Sequence, residues 1–495
     1  MITHRRIMSC LAVLLVALLV GCGAQAPASP SDTSAPAAAE PTAAPAEETA
    51  GEAADEAADE AAAEESGADA TITTGRTSNY DSAPTKITMW VFPNGQEVLQ
   101  NTTDRAEEFA RANPDIGVQI ELVDWSVAYN QLQTALQGGA DACVTQIGTT
   151  WVSGFHPLGG FRPFTEEEIA AMGGADAFVQ ASWATTSMTG SDEVIAIPWF
   201  VDVRALAYRA DLLEQVGLTP EEAFADLDAF EATLKRIKEA DLGVAPFSHT
   251  GRGDWNVVQN AAMFMWNFGA EILSPDLTTA VFNSPEAVAG VHMQTRFFGE
   301  GLTPPDAPEI NTVQAEARMG EGAVFSVVTG PWMISNILNP GTDSSWQTPE
   351  VRENIDFIPF PAGPGGQYTF VGGSQLSIFN ECPHPEAAVK FVQHLVSPEA
   401  QVAYSRQSGF LPALIAAQDD PAFASEDYVA FKEAARIGKV PPTIVQWGAV
   451  ENELRTALEG VWEDVAASPG KPIDEATIKA RLDAAVQSVN DLLAP

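Results

Sequence analysis

Tryptophans recur beside acids and amides at loop positions along this 495-residue chain. Trp151 closes an apolar run, Trp199 and Asp202 share one short segment, and Asp254, Trp255 and Asn256 sit in a glycine-rich stretch. Trp332 follows Gly330-Pro331, and Gln446 with Trp447 precedes a helical pattern. An indole offers a flat apolar face, and an ionised carboxylate accepts charge-assisted hydrogen bonds stronger than neutral ones. Such a set suits reversible capture of a small molecule that has apolar faces and a rim of donors. Asn94, in Pro93-Asn94-Gly95, adds an amide, and Gly373 beside Ser374 would let backbone N–H groups come close because glycine has no side chain in the way. Most tryptophans in an α/β protein are packing residues, and Trp90, Trp183, Trp266 and Trp462 are assigned to the core.

Bond-making chemistry has no comparable support. Ser374 does not stand in a GxSxG elbow, and no GxxxxGK[ST] loop is present to cradle phosphates. Carboxylates are so frequent that none is singled out as a glycosidase pair. The six histidines are scattered and there is no CxxC, so neither a metal nor a cofactor is expected. A formal net charge of −42 makes nucleic acid an unsuitable partner.

The amino terminus sets the compartment. Arg5 and Arg6 precede an apolar run from Leu11 to Val20, which reads as a signal peptide over 1–21 and is too short to span a bilayer. Leu19-Val20-Gly21-Cys22 resembles the lipobox of bacterial lipoproteins, which implies acylation at Cys22 and attachment to the extracytoplasmic face of the membrane. Residues 22–84 are rich in Ala, Pro and acids and poor in large apolar side chains, the composition of an acidic tether that cannot offset its ordering entropy. Two cysteines remain beyond it, Cys143 and Cys382, and in an oxidising compartment they form either a disulfide or two buried thiols.

From Thr85 onward, periodicity alternates between strand and helix. Strands are expected at 85–91, 118–122, 143–147, 193–197 and 205–208, with helices over 98–112, 128–136, 387–395 and 474–493. This order predicts an α/β fold with parallel or mixed sheets, and the length predicts two lobes.

Several segments, in order, carry a resemblance: Ile87-Thr-Met-Trp90, Gln146-Ile-Gly-Thr-Thr-Trp151, Ile197-Pro-Trp-Phe-Val-Asp202, Ala207-Tyr-Arg-Ala-Asp-Leu212, Gly330-Pro-Trp-Met333, Val371-Gly-Gly-Ser374 and Pro385-Glu-Ala-Ala388. Together they resemble the extracellular solute-binding family that includes the maltose-binding and other oligosaccharide-binding proteins. Ala140-Asp-Ala-Cys143 departs from it, standing where relatives often have Pro-Asp. The resemblance implies a two-lobe periplasmic-binding-protein-like fold of type II, with lobe one at 85–203 plus 374–409 and lobe two at 204–373 plus 410–495. Crossings are then expected near Asp202–Ala205, near Val371–Gln375 and after Gly409. It further implies a monomer that captures a sugar between the lobes and delivers it to the permease of an ABC importer. The candidate contacts, from residue type and loop position, are Asn94, Trp151, Trp199, Asp202, Asp254, Trp255, Trp332, Gly373, Ser374, Gln446 and Trp447, and family position adds weight to Trp151, Trp332 and Trp447. A polyamine in the same cleft, or a surface-tethered glycoside hydrolase, are the competing expectations.

Overall fold

The computed structural model describes residues 73–494, apart from 96, 253, 255 and 342. The signal segment, Cys22, Trp255 and most of the expected tether lie outside the described residues.

In β2 (Thr85–Val91), Ile87, Met89 and Val91 alternate onto one buried face. The next helix, Val98–Ala112, seats Ala106, Phe109 and Ala110 against the strands. β3 (Ile116–Leu122) and β4 (Val144–Gly148) flank β2 in parallel, as strand–helix–strand units require. The first sheet runs in the order β1-β3-β2-β4-β10-β5-β11, where β1 is Thr73–Arg76, β5 is Ile197–Val203, β10 is Thr369–Ile378 and β11 is Leu411–Pro412. The second sheet is smaller, with β6 (Ala205–Arg209) between β8 (Val324–Thr329) and β9 (Ile355–Ile358), and β7 (Ala245–Ser248) outside β8. Both sheets mix parallel and antiparallel pairs. Each sheet has its own core. Val118, Val144, Ile197 and Phe391 belong to the first, and Phe230, Phe247, Phe297 and Trp462 to the second.

Three stretches join the sheets. Arg204 is the single residue between β5 and β6. Thr369 and Phe370 pair in parallel with β12 (Gly438–Lys439), and the Thr369 hydroxyl donates to the Arg204 carbonyl at 2.8 Å. The second crossing therefore lies at 369–370, and Val371–Gln375 already pair with β5 inside the first sheet. The chain also stays with the first sheet beyond Gly409, because Leu411, Leu414, Phe423 and Phe431 bury their side chains in the first core.

Two further boundaries differ from the sequence reading. Strand β5 starts at Ile197, where a strand was expected to end. The folded part begins at least as early as Thr73: β1 pairs with β3, and the Thr77 hydroxyl accepts from the Val118 N–H at 3.0 Å. Backbone pairing and polar side-chain bonds, among them Arg76 to Gln119 at 2.6 Å and Asn79 to the Ile116 carbonyl at 2.9 Å, hold this segment, so its apolar composition does not reveal it. Cys143, at the entry to β4, and Cys382, beyond the end of β10, form a disulfide whose Cα atoms are 4.6 Å apart.

Candidate ligand-binding cleft

Elements of both sheets open onto one cleft of about 1010 Å³, at the upper end of what small-molecule sites occupy. Its lining includes Asn94, Trp151, Asp202, Trp332 and Gly373 from the sequence-derived set.

One wall is aromatic. The Trp125–Gly138 helix begins at the rim, and Trp125 meets Trp151 edge-on with ring centres 5.2 Å apart. Tyr129, one turn further on, stands at 5.3 Å from Trp151 and nearly perpendicular to it. The Trp125 indole N–H donates to the Pro93 carbonyl at 2.6 Å, and the ring remains 36% exposed. Behind this wall, the buried Gln146 side chain organises the neighbouring loop. Its carbonyl oxygen accepts from the Phe92 N–H and the Asn94 amide, both at 2.9 Å, while its amide donates to Ser374 Oγ at 2.7 Å. Ser374 is thus spent on this buried hub and does not line the cleft.

The opposite group of contacts is built on Arg204. Its guanidinium lies 3.2 Å from Asp202 Oδ2, donates to Asn256 Oδ1 at 2.8 Å, and sits 4.7 Å from the centre of the Trp332 ring. Trp332 Nε1 donates to both oxygens of the buried Glu316 at 3.0 Å, and the Thr329 hydroxyl donates to the same carboxyl at 2.7 Å. Phe410 covers the ring's flank at 5.3 Å. Burial pushes the Glu316 carboxyl up to about 7 against these donors. Burial also raises Asp202, with Arg204 pulling the other way.

Glycine has a structural task here. Gly373 adopts φ +131°, and a Cβ there would fall 2.2 Å from the Phe200 carbonyl oxygen, so the residue lets β10 and β5 approach at an irregularity in their register.

Four other expected contacts are placed elsewhere. Trp199 is fully buried against Tyr404, with ring centres 4.3 Å apart, because inward-facing strand positions carry the core. Trp447 is buried in the second core, and the helix it starts, Trp447–Ala466, instead presents Gly448, Glu451 and Asn452 to the cleft. Gln446 is exposed away from the lining. Asp254 accepts from the Asn256 N–H at 2.9 Å and from the Thr312 N–H, stapling two helix starts whose residues Asn256 and Thr312 do line the cleft.

Sequence reasoning missed Trp125, Tyr129, Arg204, Glu316, Phe370, Phe410 and Glu451. For Trp125 and Tyr129 the signal was available: they open an amphipathic helix after a strand. For Glu451, spacing of three residues after Gly448 on the helix starting at Trp447 was the available cue.

Among the described residues, no group of three or more His, Cys, Asp or Glu is arranged to hold a metal, and no helix is long and apolar enough to cross a membrane. Two mixed sheets, short crossing strands and a cleft between their elements define the periplasmic-binding-protein fold. Maltose-bound MalE3 of T. maritima shares it, with a TM-score of 0.69 at 22% identity, covering 82% of this chain and 100% of that one. Residues 93–402 match the bacterial extracellular solute-binding protein family, and the chain belongs to that family. It is a solute binder and not an enzyme. Two relatives are similar along most of their length. The diacetylchitobiose binding protein DasA of Streptomyces coelicolor is 23% identical over 386 residues, 76% of this chain and 84% of that protein. The lactose-binding protein of Rhizobium radiobacter is 23% identical over 422 residues, 82% and 93% respectively.

Proposed function

We propose that this protein is a lipid-anchored receptor that captures a sugar in the cleft and hands it to the membrane permease of an ABC importer. The observation that carries the reading is the convergence of Trp125, Trp151 and Trp332 with Asp202, Glu451 and Asn452 on one opening. Indole faces match the C–H patches of a pyranose, and the acids and amide match its hydroxyl rim. Maltose, lactose and diacetylchitobiose, the sugars named for the similar proteins, support the class of ligand without choosing among them.

The two sheets serve as the cores of two lobes in this reading. Lobe one takes 73–203 and the return from 371 to about 436, and lobe two takes 205–368 and the segment from about 440 onward, the helices after Trp447 included. Arg204, Thr369–Phe370 and Gly438–Lys439 form the hinge. Acylation of Cys22 behind the apolar run tethers the receptor to the extracytoplasmic surface, where a monomer suffices for delivery.

A thermal-shift and tryptophan-fluorescence panel of maltose, lactose, diacetylchitobiose and their monosaccharides tests the ligand class. A sugar at 100 times its dissociation constant should stabilise the fold by about 2.7 kcal/mol. A flat response across the panel, or turnover of any member, removes the reading. For the anchor, Cys22→Ala should move the protein from the membrane fraction to the soluble one.

A further inference from the structure

Resting on the sugar reading above, we propose that the Glu451 end of the cleft is a subsite for a primary amino group carried by the ligand. Glu451 lines the cleft from the inward stripe of its helix and is itself only 2% exposed. Its Oε1 makes no well-formed hydrogen bond among the described residues, the Trp447 side chain acting on the carboxyl without meeting that geometry. A buried acceptor left unpaired costs about 1–3 kcal/mol, so the cleft holds a standing demand for a donor. Two other lining acceptors, Asp202 Oδ1 and Gln259 Oε1, are in the same condition.

Charge narrows the donor. Among the described lining residues, Asp202, Glu316 and Glu451 face a single cation, Arg204, whose guanidinium is committed to Asp202, Asn256 and the Trp332 ring. Arg455, one turn beyond Glu451, reaches it electrostatically but also bonds Glu459 at 2.8 Å. Burial still holds the Glu451 carboxyl up to about 8 although Arg455 and the Trp447 side chain pull it down, so in the free protein it gives up its proton reluctantly and a cation seated beside it would favour the ionised form. Tyr129 feels that carboxyl directly, and its ring belongs with Trp151 and Trp125 to the aromatic wall. An ammonium seated there pairs with Oε1 and faces aromatic rings that attract cations, whereas a hydroxyl meets only the first demand and a carboxylate meets neither.

The test is isothermal titration of the full mature chain at several values from about pH 6 to pH 8.5, a range within which the Glu451 carboxyl, held up to about 8, ionises, with matched pairs: glucosamine against glucose, galactosamine against galactose, and the free-amine disaccharide chitobiose against cellobiose. Diacetylchitobiose serves as the uncharged form and putrescine as an amine without a sugar. The amino member of a binding pair should win by at least ~10-fold, and acetylation should abolish the advantage. In Glu451→Gln, which keeps the shape, the preference should shrink to within about threefold. Equal or tighter binding of the hydroxyl member by the wild type overturns the proposal, whether or not the variant folds. So does an undiminished preference in a variant that unfolds cooperatively. Putrescine binding while every sugar fails would keep the ammonium subsite and remove the sugar reading. Silence from all probes removes both.

Discussion

At the Trp332 end of the cleft, polar groups are bonded largely to one another. Arg204 is held by Asp202 and Asn256 and lies over the indole, whose N–H is held by Glu316, which also accepts from Thr329. At the other end, Trp125, Tyr129 and Trp151 pack edge to face, and Glu451 leaves one oxygen unpaired beside them. The first end is largely preorganised by its own bonds, with Asp202 Oδ1 left as an open acceptor. The second is unfinished and is completed by what binds. A receptor benefits from the division: preorganisation limits the ordering cost of association, while the unpaired acceptor discriminates between guests that can and cannot supply its donor.

Mutation at the finished end should therefore damage the fold as well as binding. Trp332→Ala removes the ring over which Arg204 sits and a donor to buried Glu316, and should lower unfolding free energy by about 3 kcal/mol in denaturant titrations. Sugar affinity should fall about 100-fold, as for a central anchor residue. Trp125→Ala, at the unfinished end, removes a ring that is 36% exposed and should cost under about 1 kcal/mol of stability while weakening sugar binding by about 30-fold. Equal stability losses for the two variants would break the contrast between the ends.

Much of this scaffold was legible in the sequence. Strand β2 and the Val98–Ala112 helix fall where periodicity predicts them, because each buries one face and alternates with it. The misplaced parts lack such a signature. β1 is anchored by backbone bonds and by polar side chains such as Arg76 and Thr77, and β5 is apolar on both faces, so its start has no alternation to mark it. Within the cleft, a tryptophan's type does not tell whether it faces a guest or a core. Trp199 and Trp447 stand within three residues of a lining residue in sequence yet point into packing, while Trp151 and Trp332 reach the cleft. Side-chain direction at an element's end depends on the register of its partner strands and helices, which only the assembled fold supplies. Glu316 and Glu451 were missed for a related reason: on a helix, an acid reads as a solvated surface residue until another element covers it.

The smallest expected effect tests the contrast through protons. Burial raises the folded-state carboxyls of Glu316 to about 7 and Glu451 to about 8, above the ordinary 4.5, so the folded chain retains protons that the unfolded chain releases. Stability from this source is fully present below about pH 4.5 and is lost as pH rises through those values. His249 acts in the opposite sense. Burial holds its imidazole down to about 3 against an ordinary 6.5, so its contribution is present above 6.5 and lost on acidification. Asp427, raised to about 6, has largely titrated by then. Above pH 6.5 the falling carboxyl contribution is consequently unopposed by this histidine. Unfolding free energy should decline by on the order of 1 kcal/mol between about pH 7 and pH 8.5, and Glu451→Gln should flatten most of that slope while Glu316→Gln acts mainly below it. Denaturant midpoints measured across the range check it. A wild-type curve as flat as that of the Glu451→Gln variant would mean that the Glu451 carboxyl already has its counter-charge within the protein, and the two ends would no longer differ in the way argued from their hydrogen bonds.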